Sequence, residues 1–212
     1  MQSFPIEETT FLLPGPAGAM EVLTATPKEA PIIKGTAIIC HPHPLFSGTM
    51  HNKVVTTLAR VFRDLGLRTV RFNFRGVGQS EGIHDTGRGE TDDVIVLAEW
   101  VKTVCPKDEL WLAGFSFGGF VAAAAATRLS SVKQLVSIAP MVSRFYEAHL
   151  PPITCPWLIV QGEQDEVIAP EETYAWIETL QPKPELIRMP NAGHFFHGKL
   201  MELRRQLETA LK

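Results

Sequence analysis

The sequence is poor in cysteine and has no excess of charge of either sign. Cys40, Cys105 and Cys155 are odd in number and form no C-x-x-C pair. That leaves no disulfide framework, zinc knuckle or redox dithiol to organise the chain. Lys and Arg total 20 against 23 Asp and Glu, a formal net charge of −3. There is thus no basic footprint for a phosphate backbone, and no nucleic-acid partner is expected. The most apolar stretch, Phe117 to Ala126, falls far short of the ~20 residues of a membrane span. The opening residues show no basic segment followed by an apolar one, so a cytoplasmic chain with no membrane attachment is the expectation. Repeats and Ser/Gly/Pro linkers are also missing.

What is present is 212 residues that are 45% hydrophobic and 20% charged. This is enough for one α/β domain over 1–212 that buries roughly 70% of its unfolded surface. Glu8 to Leu13 and Met20 to Thr26 flank the turn-rich Pro14-Gly15-Pro16-Ala17-Gly18, which predicts an antiparallel hairpin. Short β-branched runs then alternate with helical patterns. The predicted strands are Thr36 to Cys40, Arg68 to Phe72, Leu110 to Ala113, Gln134 to Ile138, Trp157 to Val160 and Leu186 to Met189. The predicted helices are Val54 to Leu65 with Gly66 at its end, Thr91 to Val104, Phe117 to Arg128, and a last one carrying Leu200, Leu203, Leu207 and Leu211. Continuous apolar strands alternating with helices imply a mostly parallel sheet covered on both faces.

One stretch carries chemistry. Gly114-Phe115-Ser116-Phe117-Gly118-Gly119 is a G-x-S-x-G pattern that follows an apolar strand and opens an Ala-rich helix. A serine on so sharp a strand-to-helix turn needs small neighbours two residues away on either side. The helix N-terminus that follows favours a developing oxyanion. Ser116 is the candidate nucleophile, and the N–H of Phe117, the next residue, is a candidate oxyanion donor.

These residues resemble an α/β-hydrolase, and in particular the small lidless serine hydrolases that carry an HPHP segment. The resemblance extends over nearly the whole chain. It rests also on His41-Pro42-His43-Pro44-Leu45-Phe46-Ser47-Gly48-Thr49-Met50, on Phe72-Asn73-Phe74-Arg75-Gly76-Val77-Gly78-Gln79-Ser80-Glu81-Gly82, on Gly162-Glu163-Gln164-Asp165, and on Asn191-Ala192-Gly193-His194-Phe195-Phe196. It implies an eight-stranded α/β-hydrolase fold with an N-terminal antiparallel hairpin and no cap domain.

The resemblance also implies a base and an acid. His194 stands in the loop after the last strand, in the chain order Ser, acid, His that these hydrolases follow. His197 is its rival and is expected in the first turn of the last helix. The acid is placed at Asp165, with Glu163 and Glu166 as alternatives. The second oxyanion donor comes from the HPHP loop, where Pro42 and Pro44 have no N–H. His43 and Leu45 remain, and the resemblance favours Leu45.

Other patterns read as structure. Gly76-Val77-Gly78-Gln79-Ser80-Glu81-Gly82 is one residue too long for a dinucleotide fingerprint and opens no helix. Arg75 is expected in a salt bridge. His41 and His43 are expected to shape their loop, with no metal and no cofactor implied. Only 18 residues, Ala139 to Pro156, separate two strands at the place where a lid would be inserted. The site is therefore expected to be open, with Leu45, Phe46, Phe117, Met141, Phe145, Tyr146, Phe195 and Phe196 as candidate apolar walls.

The expected activity is hydrolysis of small acyl esters by Ser116, His194 and Asp165 through an acyl-enzyme, in a monomer or homodimer. Thioester, peptide or acyl-transfer chemistry could use the same three residues. A hydrolase fold kept as a silent ligand-binding module is the alternative of another class.

Overall fold

The computed structural model describes residues 3–28 and 34–212, and its elements follow from the burial pattern of the sequence. The first two strands, β1 (Thr9–Gly15) and β2 (Gly18–Ala25), pair antiparallel with Gly15 opposite Gly18. Then come β3 (Gly35–Cys40), α1 (Lys53–Asp64), β4 (Arg68–Phe72), α2 (Arg88–Val104), β5 (Glu109–Phe115) and α3 (Phe117–Ala126). The chain ends with β6 (Val132–Ile138), α4 (Val142–Ala148), β7 (Trp157–Gly162), α5 (Pro170–Glu178), β8 (Glu185–Met189) and α6 (Leu200–Ala210). The eight strands form one sheet in the order β1-β2-β4-β3-β5-β6-β7-β8. The β2–β4 pairing is antiparallel, and every pairing from β4 through β8 is parallel. This is the expected hydrolase-type α/β architecture.

Two apolar layers cover the sheet. On one face, Ile38, Val70, Phe72 and Leu112 meet α2 and α3. On the other, Ala37, Ile39, Ala113 and Val136 meet α1 and α6. All six residues of β3 are buried, as a central parallel strand requires. In α1, Val54, Val55, Leu58, Val61 and Phe62 form the buried stripe, and Asn52 caps the helix by accepting the N–H of Val54 at 2.8 Å. The helix ends where Gly66, at φ 92°, lets Leu67 N–H reach the Phe62 carbonyl at 2.8 Å.

Several expected boundaries differ from the observed ones. α2 starts at Arg88 rather than Thr91, because Glu90 reaches back to accept the Gly87 N–H at 2.8 Å and closes an extra turn. α5 was not anticipated, although Pro170 opens it and Thr173, Trp176 and Ile177 bury one stripe of it. Pro44–Phe46 form one turn of 3-10 helix. His197 lies before α6 rather than in its first turn. Residues 139–156 hold only α4 and an irregular stretch, with no inserted lid. No helix among the described residues is long and apolar enough to cross a membrane.

Candidate active site

The carboxyl ends of the parallel strands converge at Ser116, between β5 and α3. Its backbone is at φ 55° and ψ −117°, a region that costs a non-glycine residue about 1–3 kcal/mol and survives only where the surroundings impose it. They do so here. Ser116 N–H donates to the Ile138 carbonyl at 2.8 Å, and the Ser116 carbonyl accepts from Gly119 at 2.9 Å and Met141 at 3.2 Å. The two flanking glycines are steric requirements. A Cβ on Gly114 would overlap the Gly118 carbonyl, and one on Gly118 would overlap the carbonyls of Cys40 and His41. The strained turn thus lets α3 touch both its own strand and the loop after β3.

The structure brings Ser116, His194 and Asp165 into one hydrogen-bonded line. His194 Nε2 lies 3.1 Å from Ser116 Oγ, and its Nδ1 lies 2.8 Å from Asp165 Oδ2. All three residues are buried. The arrangement matches a neutral imidazole that donates from Nδ1 and accepts at Nε2. His194 is wedged between the rings of Phe115 and Phe195, at 5.0 and 5.1 Å between centroids.

Asp165 is held more tightly than its sequence motif suggests. Oδ1 accepts the N–H groups of Val167 at 2.9 Å and Ile168 at 2.7 Å, and Oδ2 accepts Gln161 Nε2 at 2.9 Å. Burial pushes its carboxyl pKa up. Hydrogen bonds from His194, Ile168 and Val167, with the charge attraction of His194, outweigh burial and hold it below the usual carboxylate range. The Asp165 carboxylate therefore stays ionised beside the His194 imidazole.

The rivals fall elsewhere. Glu166 accepts the backbone N–H of His194 at 3.1 Å, fixing the loop rather than the ring. Glu163 is exposed at the end of β7. His197 is exposed and packs on Phe195 at 5.8 Å.

Two residues escaped the sequence reading, Gln161 as a clamp on Asp165 and Glu166 as an anchor of the His194 loop. Gln161 is buried on β7, and its Oε1 accepts from Thr173 on α5 at 3.3 Å. The available signal was a glutamine directly following the apolar run Trp157 to Val160.

The loop after β3 crosses above Ser116. His41 Nδ1–H donates to the Pro42 carbonyl at 2.6 Å, and its Nε2 accepts the Phe74 N–H at 3.0 Å, so this buried ring shapes the loop. The two candidate donors of the loop separate. Leu45 N–H is engaged by His43 Nδ1 at 3.2 Å, whereas His43 N–H meets no acceptor among the described residues. Phe117 N–H is likewise free among them, as the first N–H of a helix must be.

Among the expected walls, Leu45, Phe46, Tyr146 and Phe195 are exposed, and Met141 is half-buried. Phe117 is buried next to Ser116. Phe145 is buried against Trp157 and Trp176. Phe196 is no wall, because it is fully buried in the core layer under α1 and α6.

Arg75 forms the expected salt bridge, gripping Asp93 through Nε at 2.9 Å and through one terminal nitrogen at 2.7 Å. No cluster of three potential metal ligands exists among the described residues. A cleft of about 610 Å³ between the end of α2 and the starts of β5 and β6 lies at the opposite end of the strands from Ser116.

Comparison with known proteins fits this geometry. The family model described as alpha/beta hydrolase fold matches residues 39–154. The chain belongs to the alpha/beta hydrolase family. An alpha-beta serine hydrolase homologue from Coxiella burnetii is 47% identical, with 99% of this chain and 100% of that one covered at a TM-score of 0.94. A serine hydrolase without a lid from Xanthomonas campestris is 46% identical, covering 98% and 94% at a TM-score of 0.92. An uncharacterised protein of Rickettsia prowazekii is 32% identical over 93% of this chain and 86% of its own.

Proposed function

We propose that this chain is a serine esterase that cleaves small acyl esters. The observation that carries the reading is the unbroken line Asp165–His194–Ser116, with the serine on a strained strand-to-helix turn. A free hydroxyl is a weak nucleophile, and His194 supplies the base it needs. Ser116 Oγ attacks the ester carbonyl as its proton passes to His194 Nε2, and Asp165 stabilises the imidazolium formed. Two N–H groups receive the oxyanion, those of Phe117 and His43. His43 replaces Leu45 in that role because the Leu45 N–H is already engaged by the His43 ring. Collapse of the intermediate expels the alcohol, which takes the proton from His194. Water, activated by the same imidazole, then releases the acid and restores Ser116.

The missing lid supports a preference for short acyl groups. Apolar side chains stand around an open mouth, and no inserted helices enclose a long chain. Hydrolysis of p-nitrophenyl esters from acetate to palmitate tests this reading. Turnover is expected to be highest at two to four acyl carbons, about the smallest ester pockets, and absent in Ser116→Ala. An optimum at long chains contradicts the short-acyl preference, and undiminished turnover in Ser116→Ala contradicts the nucleophile.

A further inference from the structure

The loop that crosses above Ser116 leans on a polar cluster that the proposed chemistry does not use. The His43 ring packs against His84 at 4.8 Å and against Phe117 at 4.9 Å between centroids. The His84 ring itself meets Phe117 at 5.4 Å. His84 therefore touches both residues whose N–H groups are assigned to the oxyanion. On its other side, Nδ1 lies 2.7 Å from Oε1 of Glu90, in contact but off the line of a hydrogen bond.

Glu90 is fully buried at the start of α2, and its carboxylate also accepts the N–H groups of Asp85 at 2.9 Å and Gly87 at 2.8 Å. It has no freedom to turn away. Arg144 faces the same loop and binds the Thr86 carbonyl and Glu147. A fixed negative group one ring away from the two residues that carry the proposed donors raises the barrier to forming a negative oxygen there unless something stands between them.

We infer that His84 is a positioning residue of the oxyanion hole. Anchored by Glu90, its ring fixes His43 and Phe117 and screens their N–H donors from the Glu90 carboxylate. The inference rests on the serine-esterase reading above.

His84→Phe keeps a ring of similar size and loses the polar contact. Its kcat on p-nitrophenyl acetate is expected to fall about tenfold, a fraction of the loss from deleting an oxyanion donor outright. KM is expected to stay within about twofold, because the ground-state carbonyl carries no full charge. Adding Glu90→Gln to His84→Phe removes the unscreened charge, and kcat is expected to recover at least about threefold. A packing role alone predicts no such recovery, since the second substitution adds no contact.

Thermal midpoints of each variant are measured alongside. Where His84→Phe does not fold, His84→Gln is held to the same criteria. The inference is overturned if kcat of the single variant stays within twofold of wild type, or if the double variant is no faster than the single one. A wild type inert on this ester would instead overturn the esterase reading, which the wild type alone tests.

Discussion

Between pH 8 and pH 5 the fold is expected to lose about 2 kcal/mol through one side chain, His41. Both of its ring nitrogens are committed in the neutral form, Nδ1–H to the Pro42 carbonyl and Nε2 to the Phe74 N–H. A second proton would have to go on Nε2 and would break the bond to Phe74. Burial lowers the His41 pKa from 6.5 to about 4; the Pro42 carbonyl opposes this shift and neighbouring His43 adds to it. In the unfolded chain the ring titrates near 6.5. Below that pH the unfolded chain takes a proton that the folded chain refuses, so stability falls as pH falls, until the folded ring itself titrates near 4. At 1.36 kcal/mol per pKa unit the full gap is worth about 3 kcal/mol, of which about 2 is gone by pH 5. Urea unfolding at pH 8, 6.5 and 5 measures the loss in the wild type and in His41→Gln, which keeps an acceptor for Phe74 and does not titrate. The wild type is expected to lose about 2 kcal/mol more than the variant over this range. Equal losses in the two chains would refute the assignment.

Four further outcomes follow from packing and charge. Gly118→Ala drives a methyl into the Cys40 and His41 carbonyls; a loss of about 1–3 kcal/mol in denaturant unfolding is expected, with most ester turnover. Arg75→Leu strands Asp93, whose side chain is only 1% exposed, and is expected to cost about 3–5 kcal/mol in the same assay while KM holds in whatever remains folded. Asp165→Asn removes the charge beside His194 and is expected to lower kcat by about 10⁴-fold. Glu166→Gln only weakens the hold on the His194 backbone and is expected to lower kcat by less than about tenfold, so comparable losses in the two variants would contradict the division of roles.

Much of this was legible in the chain because the informative contacts are local. The elbow is written in six consecutive residues, and Gly114 is explained by an overlap with the Gly118 carbonyl that the turn itself brings near, whereas Gly118 answers to the Cys40 and His41 carbonyls of a loop far away in sequence. Strands showed as apolar runs because both faces of the sheet are covered, which placed β3, β4 and β7 to within a residue or two. What stayed hidden depends on partners far apart in sequence. Gln161 reads as a stray polar residue until Thr173 and Asp165 are folded around it. Glu90 stands before the expected helix with no assigned partner until His84 comes to lie against it. The proposed preference for His43 over Leu45 rests on one hydrogen bond within a 3-10 turn, which composition does not announce. The sheet order, with β4 inserted between β2 and β3, follows no local signal either.

Labelling with a fluorophosphonate tests the central claim most directly, because the reagent reacts only where a serine is activated by its surroundings. Wild-type protein is expected to take up one phosphonyl group, located by peptide mass spectrometry on Ser116, at a rate that falls at least about a hundredfold in His194→Ala. A wild type that stays unlabelled, or an adduct that persists in Ser116→Ala, would contradict the account.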